Sequence, residues 1–137
     1  LVEGVSDSIL MRGLIDKFYE GKKSIKVVFA GGVGDIQLYE KVCKIFNIPY
    51  TIMIDGDMLG LYWCKKFGKE RHASSEQKRK LLKEENVHVL KGDLESNYPK
   101  KYQKKDTKPL NALVASNKIT DKDYAKMNEL QKVINAI

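Results

Sequence analysis

The chain has 137 residues, 42% of them hydrophobic and 31% charged, which gives room for one globular core but not two. No apolar run approaches the ~20 residues that span a bilayer, and the opening Leu1-Val2-Glu3-Gly4 is no basic leader, so neither a membrane anchor nor an export signal is expected. Lys and Arg number 25 against 18 Asp and Glu, a formal net charge of +7 that suits a polyanionic partner. A merely lysine-rich composition gives the same sum, so the charge informs only where it lies beside a site. Cys43 and Cys64 stand far apart in no Cys-x-x-Cys pair, as expected for two reduced, buried thiols of a cytoplasmic protein.

In chain order, short apolar segments alternate with amphipathic ones, predicting an α/β fold with a central, mainly parallel sheet of about four strands flanked by helices. Leu1-Val2 reads as the end of a first strand whose start lies upstream, so a piece of a longer protein is expected. Ser6 can cap a helix to about Tyr19, with Leu10, Met11, Leu14, Ile15 and Phe18 on one face. Ile25 to Ala30 is the second strand and runs into Gly31-Gly32-Val33-Gly34. The next helix is expected to bury Leu38, Val42, Ile45 and Phe46. Tyr50 to Ile54 is a continuous apolar run, as in a central strand covered on both faces.

The chain then turns highly charged over about 65–86, with a helix over Ser75 to Glu85. Val87 to Leu90 is the fourth strand. A loop rich in Lys and Tyr follows, from Asn97 to Lys108. Thr120 and Asp123 form a capping-box pattern ahead of a helical stripe of Tyr124, Met127, Leu130, Ile134 and Ile137. The expected division is a core over 1–109 and a C-terminal helical extension over 110–137.

Chemistry concentrates at the strand ends, where open parallel sheets bind their ligands. Strand one ends at Glu3, strand three at Asp55-Gly56-Asp57, and strand four reaches Glu95. Asp7 lies one helical turn beyond Glu3 and can face the same crevice. Several carboxylates gathered together need a cation, and hard oxygen ligands select Mg²⁺ or Mn²⁺, ions suited to phosphate chemistry. Gly4 and Gly56 let backbone approach closely beside the acids. Asp55 and Asp57 taken alone also fit an ordinary strand-end turn.

These residues carry a resemblance. Val2-Glu3-Gly4-Val5-Ser6-Asp7, followed about fifty residues later by an apolar strand ending Asp55-Gly56-Asp57, resembles the TOPRIM domain, a Rossmann-like fold found in topoisomerases, primases, recombination mediators and OLD (overcoming lysogenization defect) nucleases. Topoisomerase and primase members carry another acid where this chain has Leu59. The additional acid Asp7, Gly92-Asp93-Leu94-Glu95 and Lys108-Pro109 instead look like the OLD pattern. That resemblance implies a DNA endonuclease in which Glu3, Asp7, Asp55, Asp57 and Glu95 hold two divalent ions. Glu3, Asp55 and Lys108 would be catalytic, with Lys108 neutralising charge on the phosphoryl group. It also implies an upstream ATPase domain, through which ATP would act and copies of the protein would assemble. No Gly-x-x-x-x-Gly-Lys-Ser/Thr phosphate loop occurs in this chain.

Gly32 and Gly34 are candidate contacts to a DNA phosphate at a helix N-terminus, although a simple tight turn is the commoner use of such glycines. Lys65-Lys66, Lys69, Arg71 and Lys78-Arg79-Lys80 form one basic group. Lys100, Lys101, Lys104 and Lys105 form another, with Tyr98 and Tyr102 interleaved to stack on bases. His72 and His88 have no partner at zinc-like spacing. Trp63, Cys64, Phe67, Tyr39 and Tyr50 read as packing. Three other functions remain open: a topoisomerase- or primase-like TOPRIM function, a DNA-binding module without catalysis, and a haloacid-dehalogenase-type phosphatase with Asp55 as nucleophile and Asp57 as acid.

Overall fold

Backbone hydrogen bonds explain why the first three residues matter to the architecture. In the computed structural model, which describes residues 1–137, Val2 N–H donates to Val28 O (2.9 Å) and Ala30 N–H donates to Val2 O (3.0 Å). On its other side, Met53 N–H donates to Leu1 O (2.9 Å). Leu1–Glu3 therefore lies between the segment ending at Gly31 and the segment beginning at Thr51, joined to the former through a single parallel bridge, Val2↔Phe29.

Gly4 caps α1 (Val5–Phe18), and the Asp7 carboxylate accepts the Gly4 N–H at 2.8 Å. The cap thus lies two residues before the expected Ser6. Helix α2 (Val33–Ile45) leads to β1 (Ile52–Ile54), and α3 (Leu59–Phe67) follows a short turn. Helix α4 (Ser75–Glu84) opens on a capping box between Ser74 and Gln77. Strand β2 (Val87–Val89) pairs in parallel with β1 in the register Ile52↔Val87, Met53↔His88, Ile54↔Val89. Helices α5 (Lys108–Lys118), α6 (Asp121–Tyr124) and α7 (Asn128–Ile134) complete the chain.

The fold is α/β, but its regular sheet has two strands rather than four. Only Leu1–Glu3 lies beside the segment expected as the second strand, and so short a partner leaves most of Ile25–Ala30 without a ladder to join. The expected C-terminal helix is split at Ala125–Met127, although its capping box between Thr120 and Asp123 forms as read. No helix is long and apolar enough to cross a membrane.

Alternation along β1 decides where the core lies. Met53 points into one apolar cluster with Leu10, Leu14, Leu90, Ala112 and Leu130, against α1, α5 and α7. Ile52 and Ile54 point into a second cluster with Ile36, Tyr62, Trp63 and Leu82, against α2, α3 and α4. Phe18 stacks on Tyr124 at 4.0 Å between ring centroids, tying the terminal helices to α1. Cys43 and Cys64 are free and half-buried.

Helix α2 corrects the expected buried face. Leu38, Ile45 and Phe46 are 62%, 73% and 70% exposed, and Val42 is exposed as well. The face turned inward carries Val33, Ile36 and Glu40 instead. Glu40 tolerates burial because Lys66 Nζ stands 2.6 Å away, Lys44 Nζ 2.8 Å away, and Tyr62 and Tyr50 donate to it at 3.2 Å. Burial opposes its charge, yet the lysines outweigh that effect and hold its carboxyl below the usual range. Tyr39, expected in the core, is exposed on the same helix.

Helices α1 and α5 touch where Gly13 meets Ser116. A Cβ at position 13 would stand 2.4 Å from Ser116 Cβ and 3.0 Å from Ser116 Cα, so backbone would have to move. Gly13→Ala is therefore expected to lower stability by about 1–3 kcal/mol, read as an earlier urea midpoint. An unchanged midpoint would contradict this helix contact.

Candidate active site

Two short connections place the acids. Strand β1 ends at Ile54, and the Asp55 N–H donates to Glu3 Oε1 at 2.8 Å, locking the ends of two adjacent extended segments together. Just beyond, Gly56 N–H donates to Gly92 O at 2.7 Å, which draws the chain after β2 alongside. A helical turn over Leu94–Asn97 then presents Glu95, and Lys108 at the start of α5 closes the ring by pairing with Glu95 Oε2 at 3.1 Å.

The result is a cleft of about 410 Å³ lined by Glu3, Asp7, Asp55, Glu95 and Lys108, with Gly31 and Gly32 on its far wall. Glu3, Asp7 and Glu95 each commit one carboxyl oxygen to an internal donor. Asp55 differs: its Oδ1 is buried and meets no hydrogen-bond donor. Burial first, then the neighbouring Asp7, Glu3, Asp57 and Glu95, push its carboxyl up to about 7. Burial also raises Glu3 and Asp7 above their ordinary values, with Asp7 and Asp57 adding to the first and Glu95 to the second. Lys108 is shifted upward by its bond to Glu95.

The carboxyl groups offer oxygens alone, the set that hard divalent cations prefer, and the donorless Asp55 Oδ1 fits such a set. No three of the acidic groups stand close enough together to form a ready-made ion cluster, so a cation would have to draw them in.

Other candidates fall elsewhere. Asp57 is exposed in the turn Gly56–Met58, beside the cleft but outside its lining. Gly34 lies one residue into α2, also outside the lining, with the Lys65 ammonium over it. Lys100, Lys104 and Lys105 are exposed beyond the cleft, and Lys101 is paired with Asp123 at 2.6 Å. Stacking of Tyr98 and Tyr102 on bases is excluded, because both rings are buried in the core with Leu94 and Leu130. The Tyr102 hydroxyl donates to Asp123 at 2.6 Å.

Two members of the first basic group serve the fold. Lys66 is the partner of Glu40 and of Glu85, and Arg79 donates to Val89 O and Leu90 O at 2.7 and 3.0 Å. Phe29 was read as strand interior, yet it lines the cleft. The adjacent Gly31-Gly32 was the available signal, since a strand that ends at a site brings its last residues there too.

The family model described as "Overcoming lysogenization defect protein-like, TOPRIM domain" matches residues 1–57. This part of the chain is thus similar to a TOPRIM domain of the OLD type. The match takes in Glu3, Asp7, Asp55 and Asp57, while Glu95 and Lys108 reach the same cleft from outside it. TOPRIM domains belong to nucleic-acid-processing enzymes and generally bind divalent metals. Searches of curated proteins and of solved structures give no match to the chain.

Proposed function

We propose that this chain is the catalytic domain of a divalent-metal-dependent DNA endonuclease. The carrying observation is Asp55: a buried carboxylate oxygen without a donor, at the end of β1, in a cleft shared with three more carboxyl groups. Such an arrangement costs folding free energy unless cations occupy it, and an open polar cleft beside it suits a phosphodiester. The OLD-type TOPRIM match over the first four acids supports the same reading.

Glu3, Asp7, Asp55, Asp57 and Glu95 would hold two Mg²⁺ or Mn²⁺ ions. When bound, they supply charge neutralisation and a more acidic water. The protein's own groups do the rest. Glu3 fixes the Asp55 backbone through its 2.8 Å hydrogen bond, so the two carboxyl groups keep their separation. Lys108 can leave Glu95 for the phosphoryl oxygens, where charge grows as water attacks phosphorus and the P–O ester bond breaks. The net reaction adds one water and yields a phosphate end and a hydroxyl end. ATP linkage and assembly through an ATPase domain of the same protein are part of the proposal, by resemblance to OLD nucleases.

The test is plasmid nicking with Mn²⁺, Mg²⁺ or EDTA. Nicking that needs the metal and disappears in Asp55→Ala supports the reading, and nicking unchanged in that variant rejects it. Lys108→Ala is expected to lower the maximal rate about 10²–10³-fold with little change in half-saturating DNA concentration. A raised half-saturating DNA concentration at an unchanged maximal rate would assign Lys108 to DNA binding instead. The separated carboxyl groups give a second reading some support, a recognition module without cleavage. Its mark is salt-sensitive DNA binding that needs no metal.

A further inference from the structure

Apolar side chains lie where the proposed chemistry does not need them. Phe29 and Val5 are each 45% exposed, and both line the acidic cleft. Phe29 is held firmly: it pairs with Val2, and the hydrogen bonds of Val28 O and Ala30 N bracket it. Val5 begins α1 between Glu3 and Asp7. Together they form an apolar shelf beside the carboxyl groups.

We propose that this shelf receives an unstacked nucleobase flanking the scissile phosphate, so that the preferred substrate carries single-stranded DNA at the cut. The proposal rests on the phosphodiesterase reading. The cations and Lys108 would meet the scissile phosphate, but no other basic side chain lines the cleft to hold the nucleotide beside it. Affinity at this point needs a contribution other than charge. The π-face of a base on an aromatic ring supplies one, and it is insensitive to sequence. Within a duplex each base face is already covered by its neighbours. A single strand, a flap or a frayed end leaves a face free.

The experiment is binding of a fluorescent single strand of about 12 nucleotides and of a blunt duplex, with Mg²⁺, in an Asp55→Asn background that prevents cutting. Phe29→Leu keeps an apolar side chain but removes the ring, whereas Phe29→Tyr keeps the ring. The Leu variant is expected to bind the single strand about tenfold or more weakly, with the Tyr variant unchanged and duplex binding unaffected by either. Thermal melting confirms that each variant folds. Equal single-strand binding by all three proteins overturns the proposal, as does tighter binding of the blunt duplex. If Phe29 controls single-strand binding but the Asp55-containing protein cuts nothing, the shelf stands and the endonuclease reading falls.

Discussion

Asp55→Asn is expected to abolish metal-dependent nicking while making the metal-free protein more stable at pH 8. The activity loss should reach about 10³-fold, since the amide keeps the shape but not the charge that a cation requires. The stability gain follows from linkage. The Asp55 carboxyl is pushed up to about 7 in the folded chain, against about 3.9 when unfolded. The native state therefore holds that proton more tightly. Its contribution to stability is full below about pH 4 and is lost as pH rises through about 7.

Glu3 and Asp7 are shifted in the same direction and add to this slope. Because Asp55 is only part-buried, solvent screening reduces the Asp55 effect to about 1–2 kcal/mol, or a few degrees of melting temperature. In EDTA the wild-type midpoint should fall between about pH 5 and pH 8, and the Asn variant should fall less. Mg²⁺ or Mn²⁺ should restore the wild type at pH 8 but not the variant. A variant no more stable than wild type at pH 8 would mean that Asp55 carries no electrostatic strain.

Gly56→Ala should damage both stability and activity, because position 56 has no room for a side chain. A Cβ there would stand 2.6 Å from Leu90 O, 2.9 Å from Gly92 N and 3.0 Å from Gly92 O, all of them backbone atoms. Accommodation requires separating the chain after β1 from the chain after β2, at the cost of the 2.7 Å bond from Gly56 N to Gly92 O. The expected loss is about 2–3 kcal/mol, near 10 °C in melting temperature. Asp55 and Asp57 flank the glycine and Glu95 follows its partner strand, so nicking should fall at least tenfold even well below the melting point. Gly60→Ala is the control: nothing lies within 4 Å of a Cβ on that α3 residue, and the substitution should stabilise the helix slightly. Equal melting temperatures for the two variants would refute the close approach.

The sequence announced the acidic cleft more clearly than the layers around it. Tyr50–Ile54 was legible as a central strand because residues buried on both faces read as an unbroken apolar run, and Ile52, Met53 and Ile54 are all buried. Acids at the ends of such segments must then converge, as Glu3, Asp55 and Glu95 do. Helix α2 was misread because periodicity identifies an apolar face without saying whether anything covers it. Its stripe of Leu38, Val42, Ile45 and Phe46 faces outward, while Glu40 enters the core on account of Lys66, a residue 26 positions away. The lysine runs hid a similar division. Lys66 and Arg79 bind protein oxygens, and composition cannot separate them from neighbours that face solvent. Tyr98 and Tyr102 looked exposed amid lysines, yet the turns that carry them point both rings inward.

Helix α1 docks on a helix from the far end of the chain, with Lys17 Nζ donating to Asn117 O across 100 residues of sequence. Contacts of such range form late and slowly, since a long loop must close before they contribute. On a ribosome, Glu3 and Asp7 would emerge long before Lys108, and α1 would wait without its packing partner until α5 appeared. Glu95 therefore joins Glu3, Asp7 and Asp55 late in synthesis. Lys108, its ion-pair partner only 13 residues further on, follows closely.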